Sequence, residues 1–133
     1  MVARSVVAAL EVVTLPQFRV LVVLSTAGTT RMSTLAEKMG VIPSTFSRSI
    51  DRMVAGGWVE RLPSPHSRRE VLIGLTPAGQ VLVDDVTDRR RQSIDTILSS
   101  LTGDDRDAVK RGLEVFAAAA GETSPSDLLT LGL

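Results

Sequence analysis

Residues 31–76 read RMSTLAEKMGVIPSTFSRSIDRMVAGGWVERLPSPHSRREVLIGLT, and the changes of periodicity inside that stretch decide the fold. Leu35, Ala36 and Met39 recur at helical spacing, which predicts a short helix with Ser33 as its N-cap and Gly40 as its stop. After a turn over 41–44, Phe46, Ile50, Met53 and Val54 repeat the pattern, so a second helix is expected over about 45–56, capped by Ser44. That register sends Thr45, Ser47, Arg48, Asp51 and Arg52 to the outer side. Beyond Gly56-Gly57 the period falls to two. Residues 58–62 and 71–75 each read as a strand, and the Pro- and Ser-rich loop PSPHSRRE over 63–70 separates them. The expected order is helix, tight turn, polar helix, hairpin.

The flanks read as helical. Thr14 as N-cap with Pro16 in the first turn starts a helix ending at Gly28, with Phe18, Leu21, Val22 and Leu24 buried. Thr76-Pro77 repeats that signal and opens a long helix to about Ser100, with Leu82, Val86, Ile94, Ile97 and Leu101 along one side. Thr102 and Asp105 resemble a capping box, starting a last helix whose Val109, Leu113, Phe116 and Ala120 are expected to face inward before Gly121 ends it. Ahead of all these, residues 4–13 place Val6, Val7, Leu10 and Val13 near helical spacing, but their β-branching predicts a short helix that needs a partner.

The fold class is therefore mainly α (α+β). N-terminal helices occupy 1–28, a winged helix-turn-helix lobe 29–76, C-terminal helices 77–121 and a tail 122–133. The apolar stripe of the long helix exceeds what so small a body can cover. The terminal helices are thus expected to form a dimerisation domain, and Leu128, Leu129, Leu131 and Leu133 of the tail are open to two readings, a cover on the partner subunit or a disordered end.

Formal net charge is zero, but its distribution is uneven. Arg31, Lys38, Arg48, Arg52, Arg61, Arg68 and Arg69 outnumber Glu37, Asp51, Glu60 and Glu70 by three, which leaves the rest of the chain with an equal acidic excess. Such a basic middle suits a phosphate backbone as partner. The major groove of double-stranded DNA admits one helix, and the N-terminal part of that helix reaches the base edges. Ser44, Thr45 and Ser47 are short enough for close approach, Arg48 can grip a guanine or a phosphate, and Arg52 falls one turn later, nearer the backbone. Arg68 and Arg69 at a hairpin tip suit a narrow minor groove. The competing reading is a winged-helix module that binds protein, which would not need arginines on both elements.

Other classes are disfavoured. No cysteine is present, so disulfides, a Cys-type zinc site and a thiol switch are excluded. The single histidine, His66, lies on the Pro-flanked loop, and Asp84-Asp85 and Asp104-Asp105 are adjacent rather than facing. No nucleophile–base pair, metal site or cofactor is therefore expected, and the chain does not read as an enzyme. Without a signal peptide or an apolar run of roughly 18 residues, no membrane partner and a cytoplasmic location are expected.

These residues resemble the MarR (multiple antibiotic resistance) regulators. The resemblance is carried by Leu15-Pro16-Gln17-Phe18-Arg19-Val20-Leu21, by Met32-Ser33-x-Leu35-Ala36, and by Pro43-Ser44-Thr45-x-Ser47-Arg48-x-Ile50-Asp51-Arg52-Met53. Gly57-Trp58-Val59-x-Arg61 and Arg68-Arg69-x-Val71-Leu72-Ile73-x-Leu75-Thr76-Pro77-Ala78-Gly79 complete it, over about 10–120. It implies a homodimer that binds a palindromic operator, usually as a repressor, and is often released by a small organic ligand. It also implies that Ser44, Thr45, Ser47, Arg48 and Arg52 belong to the recognition helix and that Arg68 is the wing arginine. The family wing usually carries an acid two residues before that arginine, where this chain has His66, and Phe46 is bulkier than usual. An effector would sit between the DNA-binding lobe and the dimer helices. Phe18, Met53 and Trp58 are the side chains that could approach it, with core packing as their competing role.

Overall fold

The computed structural model describes residues 7 and 9–121. Five helices and a small sheet follow in the order α1 (Leu15–Ala27), β1 (Thr30–Arg31), α2 (Met32–Met39), α3 (Pro43–Ala55), β2 (Val59–Pro63), β3 (Val71–Leu75), α4 (Pro77–Ser99) and α5 (Gly103–Ala119). Residues 7, 9 and 10 are also helical. Val6 and the tail leucines lie outside the described residues. This is the expected mainly α winged helix-turn-helix, with one strand added.

The added strand is β1, which makes a three-stranded antiparallel sheet in the order β1-β3-β2. Two residues carry no visible period, and only their pairing, Thr30 with Ile73 and Arg31 with Leu72, makes them a strand. That pairing also resets the start of α2. Arg31 is held extended as the N-cap with no side-chain cap bond, so Ser33 falls inside the first turn instead of capping it. A similar shift moves α3. Pro43, with φ preset and no N–H to satisfy, occupies the first helical position, so Ile42 is the N-cap and Ser44 does not cap.

The threonine caps are as expected. Thr14 accepts the Gln17 amide and Gln17 Oε1 accepts the Thr14 amide at 2.9 Å, a complete capping box. Thr102 accepts the Asp105 amide at 3.2 Å and donates to Asp105 Oδ2 at 2.8 Å. Gly40 ends α2 in the left-handed region at φ 64°, a conformation that favours glycine.

The core gathers one face of α1, α2, α3, β2, β3 and the first half of α4: Phe18, Leu21 and Leu24; Leu35; Phe46, Ile50 and Met53; Val59; Ile73; Val83 and Val86. Val20 is buried where Val22 was expected, and Val54 is exposed near the end of α3. At the N-terminus Ala9 and Val13 enter the core while Val7 and Leu10 stay open. No residue of α5 is buried, so Val109, Leu113 and Phe116 do not face inward within the chain. The physical reason is that, among the described residues, no element covers that side of α5. Ile94 and Ile97 on the far half of α4 are exposed for the same reason.

One joint connects the lobe to α4. Thr76 Oγ1 accepts the Gly79 amide at 3.1 Å, which caps α4, and donates to the carbonyls of Gly57 at 2.6 Å and Trp58 at 3.0 Å. The Thr76 amide also bonds the Trp58 carbonyl at 3.2 Å. Gly79 is buried against it, and a Cβ placed there would overlap the Trp58 carbonyl oxygen and lie 2.7 Å from Leu75 Cδ1. Because the first obstacle is backbone, relief requires moving α4 off the lobe. We therefore expect Gly79→Ala to cost about 3 kcal/mol or more of unfolding free energy, and Thr76→Val about 1–2 kcal/mol through the lost cap and tie. Urea unfolding followed by circular dichroism reads both, and an unchanged midpoint for Gly79→Ala would refute the close approach.

Candidate nucleic-acid interface

Burial of Phe46, Ile50 and Met53 fixes the roll of α3. Ser44, Thr45, Arg48, Asp51 and Arg52 are consequently exposed, and Ser47 is half-buried. Ile42 supplies no side-chain cap, so the opening amides of α3 depend on solvent or a ligand for partners. Arg61 of β2 grips Asp51 at 2.7 Å, which pins the helix to the hairpin and neutralises the one acid on its outer face.

A cleft of about 370 Å³ separates the start of α3 from the hairpin. Ser33, Pro43 and Ser47 line its helical side, and Arg31, Arg61, Arg69 and Glu70 border it from the sheet and hairpin. Arg31 forms an ion pair with Glu70 at 3.5 Å. Arg68 and Arg69 both stand exposed in the turn at the hairpin tip, and of the two Arg69 lines the cleft. The structure thus brings Ser47 and Arg69 to one cleft, with Ser44, Thr45, Arg48 and Arg52 on the same helix, while Arg68 is exposed at the tip and is not among the residues that line the cleft.

Two serine hydroxyls and the Glu70 carboxylate shape the tip. Ser67 Oγ accepts the Arg69 amide at 3.2 Å, and Ser64 Oγ accepts the His66 amide at 3.2 Å while donating to Glu70 Oε2 at 3.1 Å. The Glu70 amide returns to the Ser67 carbonyl at 3.3 Å. His66 is exposed, and its backbone rather than its ring enters this network. The sequence counted Arg31, Arg61 and Glu70 only as charge. The alternation that sets Arg61 opposite α3, and the register that brings β1 beside Glu70, depend on strand pairing that single-chain periodicity does not specify.

A second cavity, of about 300 Å³, lies between the N-terminal helical residues and α4, with Ala9, Val12, Trp58, Leu82, Asp85 and Arg89 among its lining. Trp58 reaches it. Phe18 and Met53 are 5% and 1% exposed in the core and do not line it. Among the described residues no cluster of His, Cys, Asp or Glu could hold a metal ion, and no helix is long and apolar enough to cross a membrane.

Comparison with known proteins gives this geometry a context. The family model described as the MarR family matches residues 13–71. The crystal structure of RV1404 from Mycobacterium tuberculosis is similar with a TM-score of 0.83 and 41% identity, over 91% of this chain and 83% of that one. A mutant MarR from Escherichia coli complexed with operator DNA is similar at a TM-score of 0.58 and 30% identity, over 78% of this chain and 75% of that one. The multiple antibiotic resistance protein MarR of Salmonella typhimurium is 34% identical over 94 residues, which are 70% of this chain and 65% of that protein. The chain thus spans just under two thirds of the length of that relative.

The serine bonds at the tip are open to test. Each is worth about 0.5–1.5 kcal/mol, so removing one should raise the open population of the tip about two- to tenfold. Limited trypsin digestion should cut Ser64→Ala and Ser67→Ala faster at Arg68 and Arg69 than the parent by that factor. Equal cleavage rates would show that these hydroxyls do not hold the tip.

Proposed function

The chain belongs to the MarR family, and from that premise we propose that it is a transcription regulator that reads a palindromic double-stranded operator as a homodimer and acts as a repressor. That family comprises transcriptional regulators rather than enzymes. The observation that carries the reading is the cleft between α3 and the hairpin, lined by Ser47 on one side and by Arg61 and Arg69 on the other, with Arg48 and Arg52 exposed on the same helix and Arg68 exposed at the hairpin tip. An α3 seated in a major groove would put Ser44, Thr45, Ser47 and Arg48 toward base edges and Arg52 toward the backbone, leaving the hairpin arginines for the adjacent minor groove. The mutant MarR of Escherichia coli, whose structure holds operator DNA, supports this assignment by similarity.

The dimer reading is supported by what the described residues leave uncovered. Leu113, Val115 and Phe116 of α5 are each more than 60% exposed, and Ile94 and Ile97 of α4 continue the apolar surface. A second copy that covers these faces would hold two recognition helices at a fixed spacing. Release by a small organic effector is supported by the apolar cavity at Trp58, which lies between the lobe and the helices assigned to the dimer.

Selection of bound duplexes from a random pool should return an inverted repeat with half-sites about 10 bp apart. On that duplex, Arg48→Ala and Arg69→Ala should each weaken binding and, where the lost contact is to phosphate, shrink the salt slope of log K by about one. No enrichment would favour the protein-binding alternative. Phe116→Glu places a charge on the uncovered face, so it should shift the sedimentation coefficient to that of a monomer and abolish tight operator binding. A Phe116→Glu chain that sediments like the parent would remove α5 from the dimer.

A further inference from the structure

Two ion pairs border the cleft between α3 and the hairpin, and they are not equivalent. Arg61 and Asp51 meet at 2.7 Å, within the range of a strong charge-assisted hydrogen bond. Arg31 and Glu70 meet at 3.5 Å, beyond that range, with the Arg31 side chain 55% exposed. Glu70 is the better anchored partner. Its Oε2 accepts from Ser64 Oγ at 3.1 Å, its amide donates to the Ser67 carbonyl, and its Oε1 is the atom that faces Arg31. Arg31 is therefore a cation held loosely by a fixed carboxylate, at the edge of a cleft that Arg61 and Arg69 also border.

Resting on the DNA-binding reading above, we infer that Glu70 is an affinity-setting residue that occupies Arg31 in the free protein, so that Arg31 reaches a DNA phosphate only by leaving Glu70. Exposed pairs of this kind are worth about 0.2–1 kcal/mol, small enough for a phosphate to displace. The exchange costs the complex part of the Arg31 contact and leaves the Glu70 carboxylate facing DNA. Charge-neutral Glu70→Gln keeps an oxygen to accept from Ser64 while removing both penalties. Glu70 thus sets how tightly the face binds without itself touching a base.

The test is a salt titration of the selected duplex with the full chain as parent, Glu70→Gln, Arg31→Gln and the double variant. Glu70→Gln should bind about two- to fivefold more tightly than the parent, the range that corresponds to such a pair. Its salt slope should steepen toward one additional phosphate contact, about 0.9. In the Arg31→Gln background the same change should not steepen the slope and should recover only a minor part of the gain. Glu70→Gln binding no tighter than the parent, or gaining the same affinity and slope without Arg31, would overturn the inference while leaving the DNA-binding reading intact. A parent that enriches no duplex would overturn that reading and this inference together. Trypsin digestion of Glu70→Gln at the parent's rate would confirm that the hairpin keeps its shape, whereas faster digestion with weaker binding would make Glu70 a structural tie and refute the assignment.

Discussion

The approach of α4 to the Trp58 backbone is the constraint on which the arrangement depends. Gly79 permits it by having no side chain, and Thr76 holds it by capping α4 and bonding two lobe carbonyls with one hydroxyl. A second tie runs alongside, where Gln80 Nε2 donates to Ser25 Oγ of α1 at 3.1 Å and to Asp84 at 2.8 Å. The lobe and the first half of α4 therefore share one core, with Val83 and Val86 buried against it. Any rotation of α4 must carry the hairpin and α3 with it or break these bonds. The cavity at Trp58 is bounded by Ala78, Val81 and Leu82 of α4's opening turns, so a molecule filling it would press on this joint. A molecule bound there would have a physical route to α3 through the close Trp58–Gly79 approach.

Legibility from sequence followed the range of the interaction. The starts at Thr14, Thr76 and Thr102 were readable because each cap is a contact between residues three apart in the chain. Ser33 and Ser44 looked like caps on the same logic and were displaced by neighbours. Strand pairing of Arg31 fixed one start, and the geometry of Pro43 fixed the other. The amphipathic pattern of α5 was readable, but amphipathicity names a face without naming its partner, and among the described residues nothing buries Leu113 or Phe116. At the N-terminus Val13 entered the core as its spacing indicated, and the small Ala9 joined it while Val7 and Leu10, which periodicity also favoured, stayed exposed.

The proposed DNA-facing surface shows the same division. Arg48 and Arg52 could be placed outside from the burial of Phe46, Ile50 and Met53 alone, since residues two apart on a helix cannot share its inner side. Arg68 and Arg69 could be placed at a tip because Pro and Ser surround them. What holds that tip was not readable. The bonds from Ser64 to Glu70 and from the Arg69 amide to Ser67 depend on how the seven residues between β2 and β3 fold back, and no period records that. The acid missing at His66 suggested a tip without its usual support, whereas two hydroxyls and the Glu70 carboxylate supply that support from other positions.

Polar groups on this face are consequently arranged for position more than for stability. Exposed ion pairs contribute at most about 1 kcal/mol, against the several kcal/mol that deletion of one large core side chain would cost. Arg61–Asp51 and Arg31–Glu70 add little to folding by that measure, yet each decides where a guanidinium stands when a phosphate arrives. The buried core and the Trp58–Gly79 joint can carry stability because nothing there has to exchange partners. Charges at the cleft can exchange partners because the fold does not depend on them. That separation lets one residue such as Glu70 adjust affinity for a polyanion without altering the scaffold that presents α3.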